Sequence, residues 1–162
     1  MAYHPFDTLT LNDGGKLIFT PCPGTKGVNL SDSVTQLKEA GVNMVITLLD
    51  DEELTTHNVA QLQEYVLVKN MTWLQLPIVD DEGPSQVFEE RWRIHKSEIF
   101  QLLKNQGSAA VHCKGGTGRT GLVIGLILLE LGYTKAQALK LVQQVRPKAL
   151  INSLQRSYFD NY

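Results

Sequence analysis

The sequence predicts an α/β domain in three layers, a mostly parallel central sheet flanked by helices. Three observations predict it. Apolar, β-branched runs alternate with amphipathic segments, one later segment is apolar nearly all round, and no repeat, low-complexity stretch or linker divides the 162 residues. That length is the common size of one domain, so 1–162 reads as a single unit with one core.

The elements follow in order. "TLTLNDGGKLIFT" is two short alternating runs around an Asn-Asp-Gly-Gly turn, a hairpin signal that "PCPG" ends. "SDSVTQLKEAG" starts with Ser or Asp as N-cap, sets Val34 and Leu37 at helical spacing and stops at Gly41. "VNMVITLL" (42–49) is a buried strand, "NVAQLQEYVLVKN" (58–70) a helix and "MTWLQLPI" (71–78) the next strand. After the polar loop "DDEGPSQ", Phe88, Trp92, Ile99, Leu102 and Leu103 mark a long amphipathic helix ending at Gly107. "AAVHC" is a short buried strand, "KGGTGR" a loop, and "TGLVIGLILLELG" the all-apolar helix, hence central in the core. "TKAQALKLVQQVR" and "SLQRSYFDNY" are two closing helices joined by "PKALIN".

Composition narrows the function. With 43% hydrophobic and 20% charged residues and a formal net charge of −2, neither disorder nor a polyanion-binding surface is indicated, so nucleic acid is not an expected partner. The start lacks a basic segment leading into an apolar run, and the longest apolar stretch is too short to span a bilayer, so a soluble, cytoplasmic protein is expected. Two cysteines, Cys22 and Cys113, are too few for a disulfide scaffold or a Cys-based zinc site, and free thiols are the expectation.

The chemistry concentrates in "AAVHCKGGTGRTGLVIG", residues 109–125. Its glycines Gly116, Gly118 and Gly121 spell G-x-G-x-x-G, but the strand and acidic residue of a dinucleotide fold do not follow, and Arg119 stands where a Walker loop needs lysine. The cysteine reading fits better. Only the thiolate is a strong nucleophile, and helix N-termini and adjacent cations favour it. Lys114 to Gly118 contains three glycines, so successive N–H groups can turn inward as an anion cradle at the start of a helix. Arg119, six residues after Cys113, can return a planar guanidinium to grip two phosphate oxygens.

"HCKGGTGRT" resembles the signature of the cysteine-based protein phosphatases, His-Cys, five residues, Arg, then Ser or Thr. With "TPCPGTKG", "LKEAGV", "LPIVDDEGP" and "ALINSLQRSYFDNY", the chain resembles the cyclin-dependent-kinase-associated phosphatase family, in the dual-specificity branch, over nearly its whole length. The resemblance implies the cysteine-phosphatase fold and hydrolysis of phosphomonoesters through a phosphocysteine, with no metal and no cofactor. It makes Cys113 the nucleophile and Arg119 the binder of phosphoryl oxygens. Thr120 would donate to the sulfur, Lys114, Gly115, Gly116, Thr117 and Gly118 would form the amide cradle, and His112 would support the loop. Asp80 takes the position of the general acid, with Asp81 and Glu82 adjacent and competing. Gln155 matches a residue near the hydrolytic water, but Ile151 stands where the relatives have an earlier glutamine, so helix capping by Asn152 and Gln155 is an equal reading. Cys22 is either a small buried hydrophobe or a disulfide partner for Cys113. The expected partner is a phosphoprotein substrate, a protein kinase among the candidates. A phosphoinositide phosphatase and an inactive phosphate-binding module are the competing functions, although Thr117 replaces the second basic residue of the lipid-phosphatase loop.

Overall fold

The computed structural model describes residues 2–162. Two strands, β1 (Asp7–Thr10) and β2 (Lys16–Thr20), form the antiparallel hairpin that the turn signal predicts, with Leu9 opposite Leu17. Three more strands, β3 (Met44–Thr47), β4 (Thr72–Gln75) and β5 (Ser108–His112), complete a five-stranded sheet of order β1-β2-β5-β3-β4. Every pairing beyond the hairpin is parallel. All residues of β3 and β5 are buried, so both faces of the central strands are covered and the three-layer expectation holds.

Seven helices do the covering: α1 (Leu30–Glu39), α2 (Asp51–Thr56), α3 (Leu62–Val68), α4 (Gln86–Lys104), α5 (Gly118–Glu130), α6 (Lys135–Val145) and α7 (Ser153–Asn161). Helix α5 is buried from Arg119 through Leu128, as its apolar circumference requires, and packs against β2, β5, α6 and α7. Gly121 permits that packing, since a Cβ there would lie 2.5 Å from the Ala149 Cβ. No helix among the described residues is long and apolar enough to cross a membrane.

Strands β3 and β4 are shorter than the runs 42–49 and 71–78 that suggested them, and four helices also differ from expectation. The cap of α1 is Asn29, whose side chain accepts the Asp32 N–H, so the helix begins before Ser31. The segment expected as one helix over 58–70 is the shorter α3, because Asn58 adopts φ +60° and breaks regularity. Ahead of it stands α2, capped by Asp50 accepting the Glu53 N–H, a helix too short for periodicity to announce. Finally, α5 starts at Gly118, which takes Gly118 and Arg119 out of the loop and into the first turn.

Candidate active site

Strands β2, β5 and β3 end together, with Thr20 paired to His112 and His112 to Thr47. A crevice at the carboxyl ends of parallel strands is where α/β sheets place their ligands. From this edge the chain runs through residues 113–117 into α5.

Four of the five loop carbonyls are held by hydrogen-bond donors. Cys113 O accepts from His112 Nδ1 (3.0 Å), Lys114 O from the Cys22 N–H (3.0 Å), Gly116 O from Arg146 Nε (3.0 Å) and Thr117 O from the Gly121 N–H (2.7 Å). With these carbonyls held, the amides are free to face inward, which is the requirement of an anion cradle. Gly116 is indispensable to this turn. It sits at φ +79°, and a Cβ would lie 2.6 Å from the Thr20 carbonyl carbon and 2.7 Å from Pro21 N. Its N–H donates to Cys113 Sγ at 3.3 Å, and the buried Thr120 hydroxyl donates to the same sulfur at 3.3 Å. Two donors thus converge on one buried sulfur. Lys114 and Thr117 are half-buried and Gly115 exposed along the same loop, and Gly118 opens the helix against Gln155.

Arg119 is 2% exposed and fixed along one edge. Its Nη1 donates to Glu53 Oε1 (2.8 Å) and Ile78 O (2.9 Å), and its Nη2 lies 3.4 Å from Asp80 Oδ1. Its Nε is buried and has no partner among the described residues, so the Nε and Nη2 edge is the one able to grip an anion in bidentate fashion. Burial alone would lower the guanidinium, but the Glu53 hydrogen bond and the nearby Cys113 and Asp80 outweigh it and hold Arg119 above its ordinary value.

His112 is an anchor. Nδ1 meets a carbonyl, which can only accept, so Nδ1 carries the proton; Nε2 then accepts from Thr47 Oγ1 (2.7 Å), which in turn accepts from Trp73 Nε1 (2.8 Å). The chain from Trp73 to Cys113 O is saturated. Burial pushes the imidazole down to about 4, which keeps it neutral at physiological pH. Cys22 is a second anchor through its backbone, and burial pushes its thiol up to about 12.

The acidic loop lies across Arg119. Asp80 is exposed and turns one carboxylate oxygen to Arg119 and to the Asp81 N–H (3.1 Å). Asp81 sits at φ +60° with its carbonyl held by Asn152 Nδ2 (3.2 Å). Among the three acids, Asp80 is therefore the one in contact with Arg119. Gln155 is buried, reaches Glu82 O (3.5 Å) and stands within 3.3 Å of where a Gly118 Cβ would be, so it bridges the two loops. Asn152 caps α7, accepting from the Leu154 and Gln155 N–H groups. Ile151, in place of the expected glutamine, is exposed.

Sequence reasoning missed Glu53 and Arg146. Glu53 sits in the run "DDEELTT", where nothing distinguishes it from a solvated turn. Arg146 also contacts Asp7 Oδ2 (2.6 Å) and Phe19 O (3.3 Å), partners 139 and 127 residues away in sequence. A cavity of about 580 Å³ takes no part, since it opens at Leu131 and Gly132, beyond the far end of α5.

A model of the family described as "Swiss Army Knife protein, DSP-PTPase phosphatase domain" matches residues 24–158. The PRL-1 phosphatase of Drosophila melanogaster is 25% identical over 98% of this chain and 83% of its own, and the protein tyrosine phosphatase type IVA 3 of Bos taurus 30% identical over 82% and 71%. A kinase associated phosphatase, solved with its catalytic-site cysteine replaced by serine, superposes with a TM-score of 0.86 at 22% identity, covering 98% of this chain and 93% of that one. The chain thus belongs to the dual-specificity and tyrosine phosphatase family, whose members are cysteine-dependent phosphomonoester hydrolases.

Proposed function

We propose that residues 1–162 form one catalytic domain that hydrolyses phosphoprotein monoesters with Cys113 as nucleophile. What carries this reading is the pair of donors on Cys113 Sγ, Gly116 N–H and Thr120 Oγ1, each at 3.3 Å, beside the Nε edge of Arg119. In the first step Sγ attacks phosphorus, the phosphorus–oxygen bond to the substrate breaks, and Asp80 delivers a proton to the departing oxygen. Arg119 and the amides of Lys114 to Gly118 hold the equatorial oxygens as their charge develops. In the second step water attacks phosphorus, Asp80 takes up its proton, and the phosphorus–sulfur bond breaks to release phosphate and the thiolate. Thr120 stabilises sulfur as it leaves. Gln155, buried between the two loops, is suited to orient the water. Phosphotyrosine, phosphoserine and phosphothreonine proteins of the cytoplasm are the proposed substrates, a protein kinase among them, as the likeness to a kinase associated phosphatase suggests.

The test is hydrolysis of p-nitrophenyl phosphate in reductant and EDTA by wild type and Cys113→Ser. Metal-independent turnover abolished by the substitution supports the reading; turnover retained in the variant, or none in wild type, sinks it.

A further inference from the structure

Resting on that phosphatase reading, we propose that an apolar shelf of Val79, Ile151 and Leu154, with the groove behind it, docks the polypeptide that carries the phosphoryl group. It selects phosphorylation sites flanked by apolar and basic residues. The three side chains are 56%, 66% and 56% exposed, although isolated exposed apolar residues would mean little. These three are not isolated. Val79 directly precedes Asp80, while Ile151 and Leu154 flank Asn152, whose amide holds the Asp81 carbonyl at 3.2 Å. The Leu154 carbonyl oxygen also lies 3.6 Å from where a Gly83 Cβ would be. The shelf therefore belongs to the mouth of the phosphate site, on the side carrying Asp80.

Beyond Leu154 the surface falls into a groove of about 410 Å³ between α4 and α7, lined by Glu89, Leu154, Ser157, Tyr158, Asn161 and Tyr162. Its one charged residue is Glu89, which accepts the Tyr158 hydroxyl at 3.0 Å and has no cationic partner among the described residues. A carboxylate beside two tyrosine rings suits a lysine or arginine side chain, by charge and by cation–π attraction. Asp81 and Glu82, both exposed at the rim, extend the same sign of charge. A substrate whose neighbouring groups are anionic, a phosphoinositide headgroup or an acidic peptide, meets repulsion there. A polypeptide leaving the mouth in this direction can bury apolar side chains on the shelf and set a basic one in the groove.

The experiment compares kcat/KM for p-nitrophenyl phosphate, for matched phosphopeptides with leucine and arginine or with glutamate beside the phosphorylated residue, and for a dispersed short-chain phosphoinositide. The basic-apolar peptide is expected to exceed the acidic one by about tenfold, with the difference in KM and diminishing with salt. Glu89→Lys should reverse the order, and Leu154→Ser should raise the peptide KM about tenfold relative to the aryl phosphate. Equal rates on the two peptides, or preference for the phosphoinositide, with normal aryl phosphate hydrolysis, would overturn the docking surface alone. Absence of aryl phosphate hydrolysis would overturn the phosphatase reading and this inference with it.

Discussion

The phosphate loop, residues 113–117, and the acidic loop, residues 79–83, both surround Arg119, yet they are held in different ways. Four carbonyls of the first are pinned by donors from β5, from the start of the β2–α1 connection, from the end of α6 and from α5, and its sulfur is buried. The second is exposed at Asp80 and tied down by the cap of α7, Asn152 at 3.2 Å, and by Gln155 in its first turn at 3.5 Å. A cradle must present amides at fixed distances to developing charge, and fixed dipoles stabilise that charge without reorganising during the reaction. A proton donor must approach and withdraw as substrate enters and product leaves, which a lightly tethered loop permits.

Substitutions can break or sharpen this contrast. The largest expected effect is at the residue both loops share: Arg119→Lys should lower kcat/KM by about 10³-fold, because an ammonium cannot keep Glu53 and Ile78 while gripping two oxygens. Steady-state kinetics within tenfold of wild type would remove the guanidinium from the site. Asp80→Asn should cost about 10²-fold on phosphoserine or phosphothreonine peptides and little on p-nitrophenyl phosphate, whose leaving group needs no proton. Equal losses on both, or a matching loss in Asp81→Asn, would move the acid elsewhere.

A pH titration probes the rigid half. His112 and His4 are both buried and pushed down to about 4 by that burial. The unfolded chain takes up protons near 6.5, the folded one only near 4, so between those values the unfolded state binds more protons and stability falls as pH falls. Urea unfolding should lose about 2 kcal/mol per imidazole between pH 7 and pH 5; a flat profile would mean that neither ring is held neutral. Arg146→Gln should lower kcat about tenfold on aryl phosphate by releasing the Gly116 carbonyl, an effect Arg146→Lys only partly restores. The smallest effect is Asn152→Ala, about 1 kcal/mol of stability from the lost α7 cap, seen as a lower melting temperature. A kcat change confined to poor leaving groups in that variant would show that Asn152 also steers the acid.

The same contrast explains what was legible in the sequence. Cys113, Lys114, the glycines, Arg119 and Thr120 lie within eight residues, so their chemistry could be read as one pattern. Asp80 could be placed only through the resemblance, since three adjacent acids look alike along a chain and only the turn at Asp81 decides which of them faces Arg119. Glu53 and Arg146 carried no signal, because a charged residue gains a role from what folding brings beside it.

Hydrophobic periodicity and turn chemistry by themselves determined an α/β architecture with a buried α5, since both act over a few residues and survive without tertiary context. The proposed nucleophile and its arginine come from the same kind of local pattern. Only the tertiary structure decided which edge of Arg119 stays open, which acid meets it and what holds the loop carbonyls. The deciding contacts join Arg119 to α2 and to Ile78, Gly116 to Arg146 at the end of α6, and the acidic loop to Asn152, groups 30 to 71 residues apart in sequence, and no local pattern encodes them.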